Sequence, residues 1–277
     1  MSKNTTSVII IGANGRMGKT LREAIAENPA FGLAGAVDLS PAEPALTAIC
    51  PTGASLEDVI NEGARGVIID FSSPDSSMGA AEAAARNGLP IVIGSTGFTR
   101  KDEATLETLA LKTPMLRSAN MSVGVNVLLE FLPLIAKALG PAYDMEILET
   151  HHRRKKDAPS GTALILAEAL ASAREWKLDD VRVSGRDGVI GERPDKQIGV
   201  MALRGGDVPG VHDCFFFGPG EIIEIRHTSE TRQNFARGAL RAAAWLKDKK
   251  PGKLYSMLDV IALDKTDENE NNGDSDN

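Results

Sequence analysis

The chain has 277 residues, 42% hydrophobic and 25% charged, enough to fold as two domains without cross-links. Its net charge of −7 speaks against nucleic acid as a partner, and its two cysteines, Cys50 and Cys214, imply no disulfide framework, so a reducing, cytoplasmic setting is expected. The polar opening and the short apolar run after it give neither a signal segment nor a membrane span.

Through the first ~120 residues, short apolar runs at 7–11, 33–37, 66–71, 90–94 and 114–117 predict buried parallel strands. Helical spacing separates them at 16–27, 75–87 and 101–112. The alternation predicts an α/β layer, a parallel sheet with helices on both faces. A helix over 123–139 then stops at Gly140-Pro141, and a strand follows at 143–150. After a helix over 161–176, strand-like runs at 181–184, 197–203, 214–217 and 221–228 are punctuated by Gly and Pro. They predict a second, α+β domain of mixed sheet and helices. A last helix over 230–247 and a short run at 254–263 fit either domain. The tail 264–277 carries −5 of the net charge and is expected to be disordered, leaving a body near −2.

The first strand runs into Gly12, Ala13, Asn14, Gly15, Arg16, Met17 and Gly18 and then a helix. Glycines at a strand-to-helix turn let backbone approach a pyrophosphate, which the new helix's amides then face. The spacing G-x-x-G-x-x-G departs from the strict dinucleotide fingerprint, and an ordinary turn is the alternative. Asp38, closing the second strand, stands where an acid binds the adenosine ribose hydroxyls. A carboxylate there repels a 2′-phosphate, and Leu39 supplies no cation, so NAD is the expected cofactor in preference to NADP, although Arg16 could still reach a phosphate. Gly94, Ser95 and Thr96, and Ser118, Ala119, Asn120 and Met121, follow later strands at the same edge. They are candidate nicotinamide contacts or plain turns.

The segment from Glu149 to Ala163 holds His151, His152, the cations Arg153, Arg154, Lys155 and Lys156, and a helix start. Ser160 is a good N-cap, leaving the Gly161 and Thr162 amides open to a carboxylate or phosphate. With Lys and His donors beside it, the loop suits a small dianion. A solvated basic surface is the ordinary reading of such a run. A metal site lacks a third ligand at standard spacing, so no metal is expected. His212 and His227 read as structural or exposed rather than catalytic.

Glu149-Thr150-His151-His152, Lys155 and Asp157-Ala158-Pro159-Ser160-Gly161-Thr162-Ala163 resemble the signature of bacterial dihydrodipicolinate reductases, E-x-H-H-x-x-K-x-D-A-P-S-G-T-A. The likeness extends from the first glycine loop through 204–210, 221–227 and 235–246; the acidic tail and Leu39 stand outside it. It implies a Rossmann-like domain, 1–122, completed by 231–263, and an inserted domain, 123–230, for substrate binding and tetramerisation. It also implies a homotetramer that uses NAD(P)H to reduce 4-hydroxy-tetrahydrodipicolinate to tetrahydrodipicolinate and water, in lysine and diaminopimelate biosynthesis. His151 and Lys155 fall on its catalytic positions and His152, Gly161 and Thr162 on substrate positions. Gly12 to Met17, Asp38, Gly94 to Thr96 and Ser118 to Met121 fall on cofactor positions. Two alternatives remain: another two-domain dehydrogenase of amino-acid metabolism, and a non-catalytic NAD sensor.

Overall fold

The computed structural model describes residues 5–261; the tail 264–277 lies outside them, as does the end of the run 254–263. In chain order the strands are β1 (Thr6–Ile11), β2 (Phe31–Val37), β3 (Thr52–Gly53), β4 (Val67–Asp70), β5 (Ile91–Ile93), β6 (Met115–Arg117), β7 (Asp144–His151), β8 (Arg182–Val183), β9 (Ile198–Arg204), β10 (Gly210–Gly218), β11 (Glu221–Ser229) and β12 (Leu254–Tyr255). The helices are α1 (Arg16–Ala26), α2 (Pro44–Thr47), α3 (Leu56–Asn61), α4 (Pro74–Asn87), α5 (Arg100–Ala110), α6 (Val123–Leu139), α7 (Gly161–Ala173), α8 (Leu178–Val181), α9 (Gln233–Leu246) and α10 (Met257–Ile261).

Seven strands form an all-parallel sheet in the order β12-β6-β5-β4-β1-β2-β3. Pleat alternation splits each strand between two cores. Val8, Ile10, Ile69 and Leu116 pack toward Leu21 of α1 and Ala239 of α9, whereas Ile9, Ile68, Ile91 and Ile93 pack toward α3, α4 and α5. Each fully buried Ile or Leu stabilises the fold by roughly 1.5–3 kcal/mol. Because every strand runs the same way, the turns after β1, β2, β4, β5 and β6 gather at one edge. The sheet is thereby a platform for the residues that follow those strands.

The second sheet has the order β11-β10-β7-β9-β8, with β10 antiparallel to both neighbours and the remaining pairs parallel. One face carries Met145, Ile147, Val200, Cys214 and Phe216 against Leu132 of α6 and Leu166 and Leu170 of α7. The other face, turned away from those helices, leaves Leu203, Phe217 and Ile222 exposed, with the Phe215 and Phe217 rings stacked 5.6 Å apart. No helix among the described residues is long and apolar enough to cross a membrane.

The α/β layer and the mixed second sheet match the sequence reading, with local differences. The strand expected at 181–184 is present but shortened to Arg182–Val183, because the short helix α8, whose first turn Asp179 and Asp180 favour, takes Val181. β10 extends well beyond the expected 214–217: His212 and Asp213 interrupt the apolar pattern, yet both are buried. The run 254–263 splits into β12 and α10, and α2, β3 and α3 lie in a stretch left without elements.

Candidate active site

At the carboxyl edge of the first sheet, Gly12 has a φ of +75°, a conformation suited to glycine, and its N–H and that of Ala13 donate to the Val37 carbonyl. A Cβ at position 18 would lie 2.7 Å from Ala13 Cα, so only glycine lets α1 start this close to the turn. Gly15 caps α1 with no side-chain bond and the first turn holds no acid, so its amides face the edge uncompensated. These are the requirements of a pyrophosphate cradle, and the residues fit one.

Asp38 sits beside that cradle. Its carboxylate accepts from Asn14 N at 2.9 Å, Ser40 N at 3.0 Å and Ser40 Oγ at 2.6 Å. Burial works against its charge, but the bonds from Ser40 and Asn14 prevail and hold it below the usual carboxylate range. A cleft of about 350 Å³ opens next to it, lined by Asn14, Asp38, Leu39, Ser40 and Thr52 among others, with no Lys or Arg in its wall. Arg16 lies exposed at the start of α1. Farther along the edge, Gly94 packs on the Phe71 ring so closely that a Cβ would come within 2.7 Å of Cζ, and Ser95 Oγ is tied to Ser77 Oγ at 2.8 Å. The turn of Ser118, Ala119, Asn120 and Met121 is internally bonded: Ser118 Oγ donates to Asn120 O, as does Asn126 Nδ2, and Asn120 Oδ1 accepts from Ser122 N.

The chemical segment grows from β7. Alternation that buries Met145 and Ile147 also turns Glu149 and His151 inward, toward the helices. Glu149 is fully buried and fully used. It accepts from both terminal nitrogens of Arg204 at 2.7 Å, lies 2.6 Å from His151 Nδ1, and accepts from Ser160 N at 2.8 Å. Burial alone would raise its pKa; the Arg204, His151 and Ser160 partners overcome this and lower it. His151 moves the same way for the opposite reason: burial lowers its pKa, with help from the Lys155 and Arg204 charges, against the pull of Glu149. A neutral imidazole with Nδ1–H directed at Glu149 leaves Nε2 as its reactive nitrogen. Gly210 gives that nitrogen room, since a Cβ there would lie 3.0 Å from it.

Beyond β7 the loop is pinned at several points. Arg153 N donates to Gly206 O, Arg154 pairs with Asp207 at 2.6 Å, and Arg204 also donates to Asp157 O. Lys155 Nζ, one-fifth exposed, lies 2.9 Å from Asp157 Oδ1. The Ala158–Pro159 peptide is cis, and Ser160 then caps α7 through Ala163 N. Gly161 is exposed and Thr162 half-buried, with first-turn amides that have no intrahelical acceptor. His152 is half-buried, its Nδ1 without a partner among the described residues. No group of three His, Cys, Asp or Glu side chains among them is placed to hold a metal.

The two halves meet. Asn120 Nδ2 donates to Thr162 Oγ1 at 3.0 Å, so the turn after β6 touches the start of α7 directly. The structure thus sets the turn at 118–121 against the start of α7, which Ser160 ties to Glu149 and, through it, to His151. Sequence reading left out Arg204 and Glu149 as a functional pair, 55 residues apart in the chain, and gave His212 only as structural or exposed. His212 is buried, its ring 5.2 Å from that of His151.

A parallel sheet edge with a glycine turn of this kind, touching the first turn of a helix packed on a second, mixed sheet, has the architecture of a Rossmann-type oxidoreductase. Residues 6–121 match the family described as "Dihydrodipicolinate reductase, N-terminus" and residues 124–261 its "C-terminus" counterpart. The chain therefore belongs to the dihydrodipicolinate reductase family. It is 54% identical over 258 residues to the 4-hydroxy-tetrahydrodipicolinate reductase of Desulfovibrio desulfuricans, covering 93% of this chain and 100% of that one. It is 45% identical to the enzyme of the same name from Anaeromyxobacter dehalogenans, covering 93% and 98%. A dipicolinate-bound dihydrodipicolinate reductase from Paenisporosarcina superposes with a TM-score of 0.75 at 25% identity, covering 93% and 99%. The NAD complex of GenD2 from gentamicin A biosynthesis shares the fold alone, at 11% identity and a TM-score of 0.58.

Proposed function

We propose that the chain reduces 4-hydroxy-tetrahydrodipicolinate to tetrahydrodipicolinate and water with NAD(P)H, NADH preferred, in lysine and diaminopimelate synthesis in the cytoplasm. The observation that carries this is the Asn120–Thr162 bond, which ties the turn after β6 to the start of α7. When bound, the reduced nicotinamide supplies the hydride.

The chain's own residues supply the rest. Gly12 to Met17 cradle the pyrophosphate and Asp38 takes the ribose hydroxyls. Gly94 to Thr96 and Ser118 to Met121 hold the nicotinamide end. Gly161 and Thr162 amides, at the positive end of α7, bind one substrate carboxylate, and His152 binds beside them. Lys155, a cation on a flexible stem near that helix start, protonates the carbon next to the one that receives hydride. His151, oriented by Glu149, exchanges a proton through Nε2. Holding these groups at fixed spacing is itself worth several kcal/mol of barrier, on the order of 7 in favourable cases. The apolar face with Phe215, Phe217, Leu203 and Ile222 supports the tetramer that the family resemblance implies, and the two sheets support a division near residues 122 and 230.

The deciding assay follows NADH absorbance with and without enzymatically generated substrate. Consumption only when substrate is present is expected. Binding of NADH without consumption would instead favour the sensor reading.

A further inference from the structure

β10 and β11 set His212 and His227 directly opposite one another, and alternation turns both rings toward the helices. Each ring meets a serine that caps a helix. His212 Nε2 lies 3.2 Å from Ser160 Oγ, the cap of α7, and His227 Nε2 lies 3.3 Å from Ser122 Oγ, the cap of α6. The two rings are 6.4 Å apart, and His212 stands edge-on to His151. α6 begins just after the turn at 118–121, and α7 begins at Gly161. The histidine pair thus touches the caps of the two helices whose starts the proposed chemistry needs at a fixed distance.

We infer that His212 is a positioning residue, which through the Ser160 hydroxyl fixes the start of α7, and with it the substrate carboxylate, relative to the turn at 118–121. This rests on the reading of α7's first turn as the carboxylate site. A core-filling role fits the observations less well. His212 is 4% exposed and its Nδ1 has no partner among the described residues, so a side chain there for packing alone would not need to bury an unpartnered ring nitrogen. His227 repeats the arrangement at α6, where a Cβ on Gly124 would come within 2.8 Å of its ring. Nor is His212 suited to carry protons: burial, aided by His151 and His227, pushes it down to about 4, so it stays neutral in any ordinary assay. It touches neither helix amide directly, and its influence passes through Ser160.

The test uses the full chain saturated with NADH and pyridine-2,6-dicarboxylate as a flat dianionic probe, with calorimetric binding and steady-state kinetics side by side. His212→Leu removes the imidazole partner of the Ser160 hydroxyl, leaving it only the Ala163 N–H, and is expected to weaken the probe and raise the substrate KM by about tenfold, with NADH affinity unchanged. His212→Gln, which returns a polar atom near the Nε2 position, regains most of the loss, and its kcat/KM pH profile keeps the parent's shape. Ser160→Ala, which also removes the α7 cap to Ala163 N, costs at least as much as His212→Leu, and His212→Leu adds little on top of it, since the contact they share is already gone. A parent enzyme that ignores the probe would sink the carboxylate reading of α7 itself. A parent that binds it while His212→Leu binds equally well would overturn only the present inference. So would a His212→Gln enzyme that loses a limb of the pH profile, because the imidazole would then be moving protons. Should His212→Leu fail to fold, Ser160→Ala decides alone: full probe affinity there overturns the inference.

Discussion

Replacing Glu149 by glutamine tests how the site is held together. The substitution keeps the shape but removes the charge and turns an NH₂ toward groups that all donate: Arg204, His151 Nδ1 and Ser160 N. Breaking a buried charge pair on one side typically costs ~3–5 kcal/mol. Arg204 is about one-fifth exposed and keeps the carbonyls of Leu203 and Asp157, so water and backbone relieve part of the loss and the lower end, about 3 kcal/mol, is expected. For a chain of this size each kcal/mol lowers Tm by ~2–4 °C, so a fall of roughly 6–12 °C follows. Glu149 is also the group that raises the His151 pKa against burial. Without it the imidazole is held still lower, and the limb of the kcat/KM profile that reports His151 moves to more acid pH. Differential scanning calorimetry and a pH series on purified Glu149→Gln measure both. A Tm within about 2 °C of the parent, together with an unmoved limb, would refute the idea that this carboxylate organises the site.

Lys155→Ala is expected to cut turnover by ~10²–10⁴, the usual worth of a general acid, with the NADH dissociation constant unchanged; parental turnover would remove Lys155 from the role. NADH should bind about tenfold tighter than NADPH, since a 2′-phosphate meets the Asp38 carboxylate in a cleft without cations, and fluorescence titration showing the reverse order would overturn the assignment. Leu39→Arg should narrow that ratio. Acid weakens the fold in a definite window. The folded pKa of His212 is about 4 against an ordinary 6.5, so below 6.5 the unfolded chain takes up a proton the native one refuses, and stability falls until pH passes about 4. By pH 5 the loss is about 2 kcal/mol, readable as a lower urea midpoint than at pH 7.5 and smaller in His212→Gln. An NMR titration of His212 near 6.5 would contradict it.

Much of this was legible because local rules sufficed. The strand, glycine turn and helix from Thr6 to Ala26 obey one short pattern, and Asp38 falls at a fixed offset from it. The segment from His151 to Thr162 carries its donors, its serine cap and its helix start within a dozen residues. What escaped depends on pairing across the sheet. Arg204 reaches Glu149 only because β7 and β9 are neighbours in register, His151 opposite Arg204. His212 read only as structural or exposed because its burial depends on β7, β11 and α7 all packing around it. The short elements α2, β3 and α3 carry too few residues for any period to show.

The placement of His151 has a further consequence. Its imidazole sits on a central strand, in the same row of side chains as Met145 and Ile147, rather than on a flexible connection. Its aim is therefore inherited from the pleat. Deleting one residue of β7 would swing the imidazole to the opposite side of the sheet and carry the Glu149 charge out with it, while a larger side chain at Met145 or Ile147 would nudge it by fractions of an ångström. Hydrophobic positions two and three turns of the pleat away are thereby under chemical as well as mechanical constraint.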